Sequence, residues 1–255
     1  MKTLNYFSFL LFLAVFGLLV GCTQSKKADQ AEEQAEEAVA EDNGWITLFD
    51  GTSTEGWRGY QKDSLPPAWS IVEGTLYIRG SGRGEAGAED GGDIIYDKKY
   101  KNFHLKLSWK ISEGGNSGIF YLGQELPEFE AIWQTAPEMQ ILDNERHIDA
   151  QLGKDGNHKA GSLYDLIPAV PQNTKPAGEW NDVEIMVYEG TVIHRQNGEQ
   201  VVEYHLWTPK WDEMIANSKF PEYNENWAQV ASEGYIGLQD HGNDCWFKDI
   251  KIKEL

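Results

Sequence analysis

The sequence predicts an all-β fold, a two-sheet sandwich or jelly roll. Three observations carry the prediction. After residue 43, short runs of β-branched and aromatic residues alternate with clusters of Gly, Asn, Asp and Pro. No long apolar period of 3.6 residues appears, and no strand–helix–strand rhythm. Glu-Gly and Asn-Gly pairs separate several of the runs, and Asn-Gly strongly favours a hairpin.

The elements follow in order. "WSIVEGTLYIRG" (69–80) reads as strand, turn, strand. "GSGRGEAGAEDGG" (80–92) has the glycines of a phosphate loop but not its strand-to-helix context, so a mobile loop near a site is expected. "FHLKLSWKI" (103–111) alternates, with Phe103, Leu105, Leu107 and Trp109 on one side. "SGIFYLG" and "EMQILD" are further strands. "WNDVEIMVYEGTVIHRQNGEQVVEYHL" (180–206) gives three more. One short helix is expected over 209–218. Thr208 is placed to cap it, Pro209 suits its first turn, and Trp211, Met214 and Ile215 share a face. "GYIGLQDHGNDCWFKDIKI" (234–252) closes the chain as two strands around a tight turn.

The N-terminal part reads differently. Residues 1–21 combine an early lysine with the mostly apolar run from Tyr6 to Val20, the pattern of a signal segment rather than a stable span. "LVGC" ends it and resembles a bacterial lipobox, with Cys22 as the lipidated residue. The alternative is an ordinary secretory signal. Residues 22–43 are rich in Glu, Ala and Gln with no aromatic residue, as expected of a solvated acidic tether. An exported lipoprotein follows, anchored through its lipid in the periplasm or at the cell surface, with residues 44–255 as its one folded domain. Cys245 is the only other cysteine, and "CWF" marks it as a small core residue. A formal net charge of -19 argues against nucleic acid or an anionic membrane surface as a partner.

Strand parity singles out candidate site residues. Met139 and Ile141 would face the core, with Glu138 and Gln140 on the open face. Ile236 and Leu238 would be core, with Gly237, Gln239 and His241 open, and Asn116 and Phe120 sharing that face if the strands are neighbours. Asp240 has the core-facing parity and suits a tie to backbone amides. Amides and carboxylates on one face suit a polyhydroxylated ligand, and Gly237 would leave room for a sugar ring. The alternative is a solvated polar surface. A second concentration lies between Leu142 and Leu166, including Asp143, His147, Asp149 and His158. It suits a divalent metal ion, an acid–base pair or a solvated loop, and matches no closed zinc spacing.

"WITLFDGTSTEGWRGY", "NSGIFYLG", "EMQILDNERHIDA", "AGSLYDLIPA", "GEWNDVEIMV", "VIHRQNGEQVVEY" and "GYIGLQDHGNDCWFKDIKI" occur in this order. Together they resemble the 3-keto-disaccharide hydrolase family over nearly all of residues 44–255. The resemblance implies a concanavalin-like jelly-roll sandwich and cleavage of glycosides oxidised at C3 of a glucose unit. It implies His241 as base or acid and Glu138 as its carboxylate partner, either a proton-transfer group or a metal ligand, with Asp143 and His147 as further catalytic candidates. Asn116, Gln140, Asn181 and Gln239 would hold hydroxyls. Tyr164 would cap the sugar ring or pack against its neighbours, and His194 would meet the groove or serve as a hydrogen-bonded strand histidine. A noncatalytic sugar-binding lipoprotein and a two-carboxylate glycosidase, using for example Glu138 and Asp143, are the alternatives.

Overall fold

The computed structural model describes residues 43–83, 87–88 and 90–255. The signal segment, Cys22 and nearly all of the acidic tether lie outside the described residues, as do positions 84–86 and 89 of the glycine-rich loop. No helix among the described residues is long and apolar enough to cross a membrane.

Residues 44–255 form two antiparallel sheets, with strands numbered here in chain order. The larger sheet runs β11 (Glu199–His205), β10 (Thr191–Gln196), β9 (Asn181–Tyr188), β6 (Phe103–Ile111), β13 (Cys245–Glu254), β4 (Thr75–Ile78), β3 (Trp69–Val72). Its eighth strand, β1 (Trp45–Phe49), pairs with the C-terminal half of β13. The smaller sheet runs β2 (Trp57–Gly59), β5 (Ile94–Tyr100), β12 (Gly234–Leu238), β7 (Asn116–Gly123), β8 (Glu138–Leu142). This is the two-sheet jelly-roll sandwich that the alternating pattern predicts.

Parity places the core between the sheets. Phe103, Leu105, Leu107 and Trp109 of β6 are buried, as are Val183, Ile185 and Val187 of β9 and Phe247, Ile250 and Ile252 of β13. They meet Ile119, Met139, Ile141, Ile236 and Leu238 of the smaller sheet in one apolar cluster. Cys245 is buried and free within it. Each side chain of this size contributes about 1.5–3 kcal/mol on full burial. The Asn-Gly hairpin between β10 and β11 has the expected geometry, with φ of 50° at Asn197 and 85° at Gly198.

The helix α1 spans Pro209–Ala216, two residues shorter than expected. Thr208 Oγ1 accepts from the Trp211 amide, and Asn217 ends the helix by donating back to Glu213 O. Its buried face begins an aromatic stack. Tyr204 stacks on Trp211 at 5.4 Å, Trp211 on Trp227 at 5.8 Å, and Phe220 on Trp227 at 4.1 Å. The stack roots the stretch after α1, which carries Lys219 and Tyr223 to the outer face of the smaller sheet.

Candidate active site

The ladder of the smaller sheet decides which side chains meet. Phe120 pairs with Glu138 and Gly118 with Gln140. Gly237 pairs with both Phe120 and Ile95. Glu138, Gln140 and Asn116 therefore share the outer face, together with Asp93 two residues before Ile95 and Gln239 two after Gly237. The strands that parity alone left unplaced are neighbours. A trough of about 590 Å³ opens over this face, within the usual size of a ligand site.

Gly118 makes the floor possible, because a Cβ there would collide with the Glu138 carboxyl. Gly237 has a different role from the one expected. A Cβ there would meet Ile132 Cδ1 at 2.9 Å, so the space it leaves is filled by protein and not by a ring. Ile132 belongs to a small apolar cluster with Tyr60, Ile95, Phe120 and Ala136, which packs beneath one end of the trough.

Burial and the nearby Asp93 carboxyl push Glu138 up to about 8, against the pull of Lys219. Burial pushes Asp93 up to about 7, although its Oδ1 accepts from the Asp240 amide at 3.0 Å. Both carboxyls thus exchange protons near neutral pH. Asn116 Nδ2 lies 3.3 Å from His241 Nε2. Asn116 Oδ1 and Gln239 Oε1 are buried and have no hydrogen-bond partner among the described residues. Both residues line the trough, and acceptors without a partner there suit a ligand that brings donors.

One wall is held by Asp240. Its Oδ2 accepts from the amides of Ala88 at 3.0 Å and Gly92 at 2.8 Å, and its Oδ1 from Gly242 at 3.0 Å. Asp240 thus ties the turn, as its parity suggested, and fastens the described end of the glycine-rich loop, expected to be mobile, against the site. The other wall carries Tyr164, whose amide donates to Glu138 O at 3.1 Å beyond the edge of β8. Its ring lies 4.6 Å from His158. Both His158 nitrogens are clamped, Nδ1 donating to Asp149 Oδ1 at 2.7 Å and Nε2 to Asp165 Oδ1 at 2.6 Å. Burial pulls His158 down, but the two carboxylates win and raise it to about 9. Trp133 and Tyr223 form an aromatic edge, their rings 4.9 Å apart and nearly perpendicular.

Four predicted site residues, Asn181, His194, Asp143 and His147, do not line the trough. Asn181 and His194 have the parity of the core strands and are fully buried in the larger sheet. Asn181 Oδ1 accepts from the Lys175 amide at 2.8 Å. His194 is wedged between Tyr121 Oη at 2.7 Å and Gly161 O at 3.1 Å, and burial pulls it down to about 4. Asp143 closes a turn: its carboxylate accepts from the amides of Gly114 and Glu145 at 2.7 and 3.1 Å. Burial alone would raise it, but these bonds and Arg146 hold it below the usual carboxylate range. His147 stands behind His241, ring centroids 6.3 Å apart, and its Nδ1 accepts from Asp149 N at 3.1 Å. Among the described residues no group of three or more His, Cys, Asp or Glu is placed to hold a metal ion. In the acidic segment suggested for one, His158 instead spends both ring nitrogens on carboxylates.

Sequence reasoning missed Asp93, Lys219, Trp133 and Tyr223. Asp93 carried a usable signal: in "DIIYD" it shares parity with Ile95, on the strand next to β12. Trp133 sits in a one-turn 3-10 helix, Ile132–Gln134, and Lys219 and Tyr223 flank another, Phe220–Glu222, too short for a period to show in the sequence.

A sandwich with a protonatable, amide-lined trough on its smaller sheet suits carbohydrate cleavage, the chemistry of a glycoside hydrolase or lyase. Comparison with known proteins makes this particular. The sequence profile of the 3-keto-alpha-glucoside-1,2-lyase-like domain matches residues 44–253, and the chain belongs to that family. A Bacteroides thetaiotaomicron protein named 3-keto-disaccharide hydrolase is 48% identical, over 94% of this chain and 95% of its own. Two Parabacteroides distasonis crystal structures, each provisionally described as a glycosyl hydrolase, are 28% identical to this chain. One superposes with a TM-score of 0.72 over 88% of this chain and 96% of its own. The other gives 0.62 over 84% and 100%.

Proposed function

We propose that the protein cleaves the glycosidic bond of 3-keto-glucosides, including 3-keto-disaccharides, by β-elimination followed by hydration. The ketone at C3 acidifies the proton on C2. His241 removes that proton, and the C2–H electron pair becomes the C2–C3 double bond of an enolate. When the enolate collapses, the C3 carbonyl reforms, a C1–C2 double bond appears and the C1–oxygen bond breaks. Glu138, protonated near neutral pH, gives its proton to the leaving oxygen. Water then adds hydroxyl to C1 and hydrogen to C2, so the sum is hydrolysis. Asn116 and Gln239 accept from sugar hydroxyls.

One observation carries this reading: the Asp93 and Glu138 carboxyls of the trough are both raised, and they line it together with His241 and two residues whose acceptors lack a partner among the described residues. A double-displacement glycosidase needs one carboxylate that stays ionised as nucleophile. Neither Asp93 nor Glu138 is built for that, and Asp143, the other candidate for a pair, is spent on a turn. Incubation with a 3-keto-glucoside and with its unoxidised parent tests the proposal. Turnover of the keto compound alone is expected. Turnover of the parent would support the two-carboxylate route, and binding without turnover a lectin.

We also propose that the enzyme is exported and held outside the cytoplasm by lipid on Cys22, a reading supported by the lipobox-like "LVGC" after the apolar run. Replacing Cys22 with Ala should move the exported protein from the membrane to the soluble fraction. Unchanged membrane association would contradict the anchor.

A further inference from the structure

We infer that Lys219 is the electrophile of the site, its ammonium group holding the C3 oxygen of the substrate while negative charge builds there. This rests on the 3-keto reading above and supplies the part that reading lacks. Enolate formation moves an electron pair onto the ketone oxygen, and a cation or strong donor must meet it. The trough is otherwise a poor place for an anion, since Asp93, Glu138 and Asp240 all line it. Among the described residues that line it, Lys219 is the only Lys or Arg.

Its position is set from several sides. Lys219 Nζ lies 3.3 Å from Tyr164 Oη and 3.8 Å from Asp165 Oδ2. It stands 4.4 Å from the centre of the Tyr164 ring and 5.9 Å from that of Phe220. The Asp165 carboxylate is fixed in turn by His158 at 2.6 Å. The backbone is pinned as well: Ser218 Oγ accepts from the Phe220 amide at 3.2 Å, and Phe220 is locked into the aromatic stack. An ammonium has three donors, and Tyr164 Oη takes only one. The charge of Lys219 also reaches Glu138, whose proton affinity it lowers, so the cation and the proposed acid act in one space.

A pocket lysine facing a ketone raises a second chemistry. A neutral amine would condense with C3, releasing water and forming an iminium that also acidifies C2. The surroundings decide against it. Schiff-base lysines are made neutral by apolar surroundings or a second cation, whereas Lys219 has a carboxylate and two aromatic faces, the partners of an ammonium. No covalent bond to Lys219 forms in the proposed step.

Steady-state kinetics on a 3-keto-glucoside test the assignment with wild type, Lys219→Ala and Lys219→Arg. The Ala variant is expected to lose about 10²–10³-fold in kcat, the size of a lost oxyanion donor, with a smaller change in KM. The Arg variant, which keeps the charge, is expected to recover at least about a tenth of the wild-type kcat. Circular dichroism and melting temperature establish that each variant is folded. If Lys219→Ala misfolds, Lys219→Met, which keeps the stem, replaces it. Wild-type turnover with a folded Ala or Met variant within a few-fold of it would overturn the role of Lys219 alone. Reduction with cyanoborohydride during turnover is expected to leave Lys219 unmodified, and a sugar adduct mapped to Lys219 would overturn the ammonium role in favour of the iminium. A wild-type protein inactive on every 3-keto-glucoside would instead overturn the functional reading, and this assignment with it.

Discussion

The two sheets each turn one face outward, with polar residues at the alternate positions in both, yet the two faces behave differently. On the larger sheet the outward side chains partner each other along the surface. Lys110 sits 4.6 Å from the Trp246 ring, Lys248 4.4 Å from Trp180, and Tyr77 stacks on Trp246 at 5.2 Å. His104 bonds Glu184 at 2.6 Å. On the smaller sheet the outward side chains are roofed by four segments: the described end of the glycine-rich loop, Trp133, Tyr164 and the stretch from Lys219 to Tyr223. The roof removes water from Asp93 and Glu138 and raises both. Alternation makes a polar face, and a roof turns that face into a site.

Substitutions that exchange the two faces should give the largest contrast. His241→Ala and Glu138→Gln are each expected to lower kcat on a 3-keto-glucoside by about 10²–10⁴-fold, measured by product release. Lys110→Ala on the other sheet should leave kcat within about twofold and stability within about 0.5 kcal/mol. Comparable activity losses on both faces would erase the distinction.

The roof can be weakened without touching the floor. His158→Gln breaks the clamp on Asp149 and Asp165 and should destabilise the fold by about 3 kcal/mol, read from urea melts at pH 7. The sign with pH follows from the raised His158 value of about 9. The folded state binds that proton more tightly than the unfolded chain. The clamp's stability is therefore full below about pH 6.5 and lost as pH rises through about 9. The variant should lack that loss.

Glu138 gives a second, opposite-natured decline. Its folded value of about 8 lies above the ordinary carboxylate range, so the native state holds a proton that the unfolded state releases. Wild-type stability should fall between about pH 5 and pH 8, and Glu138→Gln should fall less over that window, by about 1–3 kcal/mol. Equal declines in the two proteins would mean that Glu138 is not desolvated. The smallest effect belongs to the aromatic edge. Trp133→Ala should raise KM for a 3-keto-disaccharide by about 10-fold, near the worth of one aromatic contact, while changing kcat little.

Much of the floor was legible in the sequence, because it obeys a period of two. Glu138, Gln140, Asn116 and Gln239 stand on the face that parity gave them, and Asp240 ties the turn. The same rule applied to "VIHRQ" would have placed His194 with Val192 and Gln196, which are all buried in the larger sheet. Asn181 likewise shares its face with Val183. The roof was not legible. Lys219, Trp133 and Tyr223 reach the trough from short 3-10 turns and their flanks, and His158 becomes a clamp only because Asp149 and Asp165 fold around it. Gly237 shows the limit of a local rule: its missing side chain makes room for Ile132, which lies 105 positions earlier in the chain.

The central claim is that a proton leaves C2 before the glycosidic bond breaks. Turnover of a 3-keto-glucoside in deuterium oxide, followed by mass spectrometry and NMR of the sugar product, tests it most directly. The account predicts one deuterium at C2 of the released 3-keto sugar and none in unoxidised parent treated alike. Cleavage with no deuterium at C2 would contradict it and return the two raised carboxyls to a direct glycosidase route.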